Sequence, residues 1–301
     1  MSKEQTQLAT RTIETEIKVD APVEAVWKAL TDAEELTRWF PLEARVTPGP
    51  GGSVWANYGG SFQGEARIEI WEPNRHLRLV EPLPSSPDAG PEDKASTETH
   101  NSNSNQTAAV PLQLATDYYL EGDGGRTILR LVHSGFEANA VWDNLFEATR
   151  LGWKAQFWGL RHYLERHRGT PRAVAQMQIK LGDTPIKEAW DRLMSARGLG
   201  VEGAVGRARD GERYKVRTGA GDVLEGIIAG FEPPVHFNAT IENLNDAYLM
   251  IHICPPLFPD GQNEIFFWLS TWGVPQSEVG SFRDRWAGVL EKLFPEDSES
   301  H

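Results

Sequence analysis

The sequence predicts an α+β protein built as two similar units, each a curved antiparallel sheet wrapped around a long C-terminal helix. Three observations support this prediction. Runs of alternating apolar and polar residues, which are typical of strands, dominate both halves of the chain. Each half ends in a long amphipathic pattern of helical spacing that contains tryptophan. Short sequence landmarks of the first half also return in the same order in the second half.

Length and composition permit two domains and exclude several classes of function. With 301 residues, the chain is long enough for two domains of about 150 residues each. Lys and Arg number 30 against 43 Asp and Glu, and the resulting charge of -13 argues against nucleic-acid binding. The single cysteine, Cys254, excludes an internal disulfide and a paired-cysteine zinc site.

The sequence also bears on the compartment in which the protein works. No apolar run is long enough to span a membrane, and the first residues contain no apolar signal region. We therefore expect a cytoplasmic protein. The 11 Trp and 12 Phe residues are typical of a thick core or of an apolar cavity.

The first half reads as a strand, two helices, a run of strands and a closing helix. A strand is predicted over 12–19, Asp20 is a candidate N-cap with Pro22 near the first helical position, and a second short helix is predicted over 32–39. Further strands are predicted near 43–47, 52–58, 62–71, 75–82, 112–121 and 126–134. A long amphipathic helix closes this half.

One segment differs from the rest of the first half. Residues 85–109, in a segment of about 85–110, contain no large apolar side chain and are rich in Ser, Asn, Thr and Pro. Such a segment cannot bury enough surface to offset the entropy of ordering it. We expect it to be a disordered insertion in a hairpin loop, because strand-like runs flank it on both sides.

Two pairs of matching stretches indicate a tandem duplication. Residues 17–30 (IKVDAPVEAVWKAL) resemble 179–193 (IKLGDTPIKEAWDRL), each a strand, a proline turn and a helix with tryptophan. Residues 71–77 (WEPNRHL) likewise resemble 231–237 (FEPPVHF). His76 and His236 hold equivalent places in these stretches, which favours a role in the turn for both.

The second half is predicted to repeat the pattern of the first. Its strands are predicted near 174–181, 212–218, 222–231, 235–242, 247–254 and 263–272, followed by a closing helix. We predict one domain over 10–168 and a second, diverged domain over 174–295.

Four stretches of the first half resemble one protein family: IKVDAPVEAVWKALTDAEELTRWF, FQGEARIEIWEPNRHLRL, LRLVHSGF and GWKAQFWGLRHYLE. They are similar to bacterial relatives of the C-terminal domain of the activator of the 90-kDa heat-shock-protein ATPase. That family belongs to the START-like, polyketide-cyclase-like superfamily. The resemblance implies a helix-grip fold, in which a curved sheet holds a long helix, for both domains. The second half matches more weakly, because it lacks a counterpart of residues 36–40 and has STWG at 270–273 in place of HSGF.

The resemblance implies two classes of function. Members of the superfamily bind apolar small molecules, cyclise polyketides or stimulate the ATP hydrolysis of a chaperone. The first hypothesis is a non-enzymatic protein whose partner is an apolar small molecule or a chaperone ATPase. The second is a cavity enzyme of the polyketide cyclase or hydrolase type. Under a third, the second half serves only for docking or dimerisation. The sequence indicates no cofactor and no metal site, and it leaves the oligomeric state open.

Eight residues of the first domain are candidates for contact with a ligand, and none is assigned a catalytic role. They are Trp39, Phe40, Trp55, Tyr58, Tyr119, His133, Trp153 and Phe157. Trp39 and Phe40 follow the second short helix, where they either gate or stack on a ligand, or close the edge of the core.

Side chains alternate between the two faces of a strand, and this limits which of the other candidates can face the cavity. Trp55 and Tyr58 are three residues apart and face opposite sides of the sheet, so at most one lines the cavity. Tyr118 and Tyr119 are divided in the same way. His133 is either a general base or a histidine whose ring bonds to the backbone and fixes the turn before the closing helix.

Overall fold

The computed structural model describes residues 9–59, 62–82, 113–200, 209–256 and 261–295. The predicted insertion at about 85–110 lies outside these described residues. Within them, the chain forms two separate antiparallel sheets, each accompanied by a long helix. The predicted α+β fold class, two curved sheets that each hold a C-terminal helix, is therefore confirmed.

The N-terminal unit consists of a seven-stranded sheet and three α-helices. Its strands are β1 Thr10–Val19, β2 Glu43–Thr47, β3 Ser53–Gly59, β4 Phe62–Glu72, β5 His76–Pro82, β6 Gln113–Asp123 and β7 Arg126–Glu137. Its helices are α1 Val23–Thr31, α2 Ala33–Thr37 and α3 Asp143–His162, which continues into one π-helical turn, Tyr163–His167. The strand order across the sheet is β1-β7-β6-β5-β4-β3-β2, with every neighbouring pair antiparallel.

The C-terminal unit repeats this arrangement with a six-stranded sheet. Its strands are β8 Arg172–Lys180, β9 Arg213–Arg217, β10 Val223–Glu232, β11 His236–Ile241, β12 Ala247–Cys254 and β13 Glu264–Trp272. Its helices are α4 Ile186–Met194 and α5 Gln276–Leu293. The order β8-β13-β12-β11-β10-β9 matches the first sheet with one strand fewer in the described part of the chain. None of the described helices combines the length and apolar character needed to cross a bilayer.

The two sequence repeats occupy equivalent places in the two units, in agreement with a tandem duplication. The strand and helix of residues 17–30 are matched by those of 179–193, and Trp27 and Trp190 are both buried. His76 and His236 are the first residues of β5 and β11, and each is paired across the preceding turn with a glutamate.

The start of α1 differs from the prediction. The helix begins at Val23 with Pro22 as its N-cap residue, so Asp20 lies too far upstream to cap it. The Asp20 carboxylate instead accepts a hydrogen bond from Nε of Arg126 at 2.8 Å. The Asp32 side chain caps the next helix, because it accepts from the backbone N–H of Glu35 at the start of α2.

The HSGF motif lies inside strand β7 and not in a turn. This strand runs to Glu137, three residues beyond the predicted end. Gly135 has a φ of 105°, and a Cβ at this position would come within 2.4 Å of the Gln113 carbonyl oxygen on β6. The motif therefore needs glycine so that β7 can bend while it stays close to β6.

Helix α3 lies between the two units. One side of it buries Phe157 and Leu160 in the core of the first sheet. The other side meets the second sheet, where Trp158 stacks on Tyr248 with ring centroids 4.8 Å apart. The hydroxyl of Tyr248 also donates to the carbonyl of Ala155 on α3. The second unit therefore supports the helix that the first sheet holds.

Candidate functional site

A cavity of about 130 Å³ lies between the concave face of the first sheet, helices α1 and α2, and helix α3. Small apolar side chains leave the space open, because alternate positions of β3 and β4 carry Val54, Ala56, Gly64 and Ala66. A void of this size is close to the roughly 150 Å³ of an engineered apolar cavity that binds benzene. The cavity can therefore take one ring without rearrangement.

Four aromatic side chains, Trp39, Phe40, Tyr58 and Trp153, line the cavity together. Trp39 is buried, and its indole N–H donates to the carbonyl of Ala29 on α1 at 2.8 Å. The ring of Phe40 stacks on Trp39 and lies between Tyr58 and Trp153, with centroid distances of 4.9 and 5.9 Å. Phe40 is only partly buried. Trp39 is consequently part of the core, whereas Phe40 keeps part of its surface exposed.

One end of the cavity is polar. Glu81 on β5, Thr116 and Tyr118 on β6, and Tyr58 on β3 all line it. Burial raises the pKa of Glu81 above its usual range, although 44% of the side-chain surface remains accessible. Burial and the nearby Glu81 charge also raise the pKa of Tyr58. The two tyrosines are thus hydrogen-bond donors in an otherwise apolar space.

His133 lies behind Trp153 and forms a polar contact with it near the polar end of the cavity. The indole N–H of Trp153 donates to Nδ1 of His133 at 2.9 Å, so a neutral His133 carries its proton on Nε2. Burial lowers the pKa of His133 to about 4, which keeps the ring neutral at pH 7. Nε2 is buried without a hydrogen-bond partner in the described residues and lies 3.7 Å from Oε1 of Glu81.

Four of the eight predicted site residues line the cavity: Trp39, Phe40, Tyr58 and Trp153. His133 and Phe157 lie one layer behind it, both buried, and both pack their rings against Trp153. The ring of His133 bonds to the Trp153 side chain, so the predicted bond to the backbone of a turn is replaced by a contact between β7 and α3.

The remaining two predicted residues lie on the opposite face of the sheet. Trp55 alternates with the cavity-lining residues of β3, and the Arg45 guanidinium lies 4.0 Å from its ring centroid. Tyr119 stacks on His76 with centroids 4.3 Å apart, while its neighbour Tyr118 lines the cavity. The expectation that only one residue of each pair faces inward agrees with this placement, and for β6 the inward residue is Tyr118.

Sequence reasoning missed Glu81 and Thr116. A signal for Glu81 was present, because Leu77 and Leu79 precede it at every second position and mark the apolar face of β5. A carboxylate that continues the apolar face of a strand indicates a polar group inside a cavity. No such signal exists for Thr116, since both faces of β6 are largely buried.

The described residues contain no group of three or more His, Cys, Asp or Glu side chains that could hold a metal ion. In the second unit, α5 packs Trp286 against Phe267 on the sheet, and the indole is fully buried. The cavity described above lies in the first unit.

The family model described as "Activator of Hsp90 ATPase homolog 1-like protein" matches residues 20–165. This span runs from the turn before α1 to the π-helical turn after α3 and includes every residue that lines the cavity. The match covers just under half of the chain, and within it the first unit resembles this family. A comparison with curated proteins finds no match.

Solved structures of three proteins resemble the chain at low identity. Protein MLL2253 from Mesorhizobium loti is 22% identical over 52% of this chain and 98% of its own, with a TM-score of 0.39. The Aha1 dimer from Colwellia psychrerythraea is 16% identical over 53% and 99%, with a TM-score of 0.39. The di-domain ARO/CYC BexL from the BE-7585A biosynthetic pathway is 13% identical over 97% and 99%, with a TM-score of 0.40. Because these scores lie below 0.5, the fold assignment rests on the sheets and helices described above.

Proposed function

We propose that the first unit, within a domain spanning residues 10–168, binds a small apolar molecule that carries one aromatic ring and one neutral polar group. The observation that carries this proposal is the cavity itself, which is lined mostly by apolar side chains and is polar at one end. Apolar burial supplies affinity at about 25 cal/mol per Å² removed from water. The second domain, residues 174–295, contributes no ligand site to this proposal.

The size of the cavity limits the ligand. Pockets for drug-sized molecules measure about 300 to 1,000 Å³. The cavity here measures about 130 Å³, which is enough for a ring the size of benzene. Ligands with two or three fused rings would have to displace Phe40. The proposal therefore favours a phenol-like ligand over a polycyclic one.

The polar end limits the chemistry of the ligand. Tyr58 and Tyr118 can donate hydrogen bonds, and Glu81 can accept one when ionised or donate one when protonated. Burial raises the pKa of Glu81, and this supports a polar end that disfavours charge. A hydroxyl or carbonyl group on the ligand suits it better than a carboxylate or an ammonium group.

A titration that follows tryptophan fluorescence tests this proposal, because Trp153 and Trp39 both line the cavity. The panel contains phenol, a flavonoid, a linear fatty acid and benzoate. We expect saturable binding of phenol and weaker binding of the other three. Glu81→Gln is the matched variant, and it should change the affinity for phenol more than for toluene, which has no polar group.

A specific observation favours an enzyme as a second candidate. Nε2 of His133 and Oε1 of Glu81 are 3.7 Å apart at the polar end, about 0.5 Å beyond the reach of a catalytic hydrogen bond, so the pair would have to close on a ligand. In this version the Glu81 carboxylate removes a proton from carbon next to a ligand carbonyl. Tyr58 or Tyr118 then donates a hydrogen bond to the enolate oxygen that forms. Faster deuterium exchange at the central carbon of a 1,3-diketone, lost in Glu81→Gln, would support it.

The name of the family raises activation of a heat-shock ATPase as a further candidate. Among the described residues, Val141 is the large apolar side chain that is highly exposed, at 71%. One exposed side chain is far less than the apolar core expected of a stable protein interface. An ATPase assay with the heat-shock protein from the same organism tests this candidate, and we expect no stimulation.

We place the protein in the cytoplasm, where Cys254 stays reduced.

A further inference from the structure

The second unit holds one segment of the cavity wall. This segment, residues 38–41, contains the cavity-lining Trp39 and Phe40, and it is called the mouth segment because the proposal below takes it as the place of ligand entry. The indole N–H of Trp272 donates to the carbonyl of Arg38 at 2.9 Å. The guanidinium of Arg172 donates to the carbonyls of Phe40, at 3.2 Å, and Pro41. Three carbonyls of a four-residue segment are therefore bound by side chains from the other unit.

A neighbouring wall of the cavity is held in the same way. Gln176 on β8 donates its amide N–H to the carbonyl of Tyr58 at 2.9 Å, and Tyr58 lines the cavity. Phe266 on β13 packs edge-on against Phe62, which begins the next strand of the first sheet. The second sheet therefore contacts the first unit at the mouth segment, at the cavity-lining Tyr58 and at Phe62.

The guanidinium of Arg172 is held by the dipoles of the Phe40 and Pro41 carbonyls and not by a carboxylate counter-ion. The described residues place no carboxylate within ion-pair distance of its guanidinium, and its buried Nε has no partner there. Burial lowers the pKa of this guanidinium to about 9, so the group is still charged at neutral pH. Hydrogen bonds from a charged donor are stronger than neutral ones, and a buried charge that loses its acceptors is left uncompensated. Moving Phe40 and Pro41 away from Arg172 is therefore unfavourable.

The opposite wall is supported as well. Trp153 faces the cavity from α3, and the next residue, Lys154, forms an ion pair with Glu232 of β10 at 2.6 Å. Tyr248 of β12 bonds to the carbonyl of Ala155 on the same turn. The helix side and the mouth side of the cavity are thus both anchored to one rigid sheet.

We propose that the second unit is a clamp that fixes the width of the cavity mouth, with Arg172 and Trp272 as positioning residues that restrict the cavity to single-ring ligands. This inference rests on the ligand-binding function proposed above. A ligand with two or three fused rings can enter only if the mouth segment moves, and that movement breaks the bonds from Arg172 and Trp272. The duplicated unit thereby contributes to specificity without contacting the ligand.

The test measures, in each variant, the affinity for ligands with one, two and three rings. Calorimetric titration with phenol, 1-naphthol and 9-phenanthrol gives these affinities. Arg172→Met removes the two hydrogen bonds to the carbonyls of Phe40 and Pro41 and keeps the bond from Trp272 to Arg38. Arg192→Met is the matched control, because Arg192 donates to the carbonyl of Leu293 within the second unit. We expect Arg172→Met to raise the affinity for 9-phenanthrol relative to phenol at least tenfold. Arg192→Met should leave this ratio unchanged, and Arg172→Lys should restore part of it.

Trp272→Phe provides an independent measurement should Arg172→Met not fold, since it keeps the ring and removes only the N–H donor. It should shift the ratio in the same direction by a smaller factor. An unchanged ratio in the folded variants, with phenol still bound, overturns the clamp and leaves the ligand-binding function intact. Absence of phenol binding in the wild type overturns the ligand-binding function, and the clamp with it.

Discussion

Trp153 donates its indole N–H to Nδ1 of His133 across 2.9 Å, and this bond joins helix α3 to strand β7 at the polar end of the cavity. It fixes the position of the indole that lines the cavity. It also fixes the tautomer of the histidine, so that the remaining N–H of His133 is directed toward the side of Glu81.

Trp153→Phe should destabilise the protein by more than the loss of packing alone. The variant leaves Nδ1 of the buried His133 without its donor, which costs about 1 to 3 kcal/mol for an unsatisfied buried group. Trp158→Phe is the control, because it keeps an aromatic ring for the stack on Tyr248. Urea unfolding measures both. Equal losses in the two variants would show that the bond to His133 contributes nothing.

Acid should destabilise the protein through its buried histidines. Burial lowers the pKa of His133, His162 and His236 to about 4, and that of His252 to about 3. The unfolded chain binds these protons near the ordinary pKa of about 6.5, so stability is full above that pH and falls as the pH drops toward 4. Thermal unfolding across this range checks the slope. His133→Gln should flatten it, and a slope identical to that of the wild type contradicts the assignment.

Glu81 should have the opposite effect on pH dependence. Because burial raises its pKa, the native state keeps the proton to higher pH than the unfolded chain does. The contribution of Glu81 is therefore full below its ordinary pKa of about 4.3 and is lost as the pH rises through the raised value. Glu81→Gln should become progressively more stable than the wild type across this range. Parallel stability curves for the two proteins would rule out a raised pKa.

Phe40→Ala should open the cavity to solvent. The ring lies between Tyr58 and Trp153, so its removal leaves a wider entrance. Association of a two-ring ligand such as 1-naphthol should become at least tenfold faster, as measured by stopped-flow fluorescence. Trp55→Ala, on the opposite face of the sheet, is the control and should leave the rate unchanged. A rate that stays the same in both variants would mean that ligands enter elsewhere.

The positions of the strands follow from the sequence, because alternation of apolar and polar residues survives wherever one face is buried. Strand β12 was predicted over 247–254 and runs from Ala247 to Cys254. Which neighbour faces the cavity could not be decided on β6, since Asp117 and Tyr118 are both buried and alternation gives no contrast there. Asp117 is buried on the outer face because His76 and Arg78 pair with it.

The contacts between the units lie beyond sequence reasoning. Arg172 and Trp272 meet the mouth segment across 132 and 234 residues of chain, respectively. Alternation places each residue on a face of the second sheet, but it does not reveal that this face covers the first unit. The weaker match of the second half to the family is consistent with a different role for that unit.

Filling the cavity is the most direct test of whether this unit binds a small ring. Ala56→Leu extends a side chain from β3 into the space, where it replaces the ligand with protein atoms. Calorimetric titration with phenol should show at least a tenfold weaker affinity in this variant than in the wild type, while the melting temperature stays equal or rises. Equal affinity in the two proteins would show that phenol binds outside the cavity, or does not bind specifically at all.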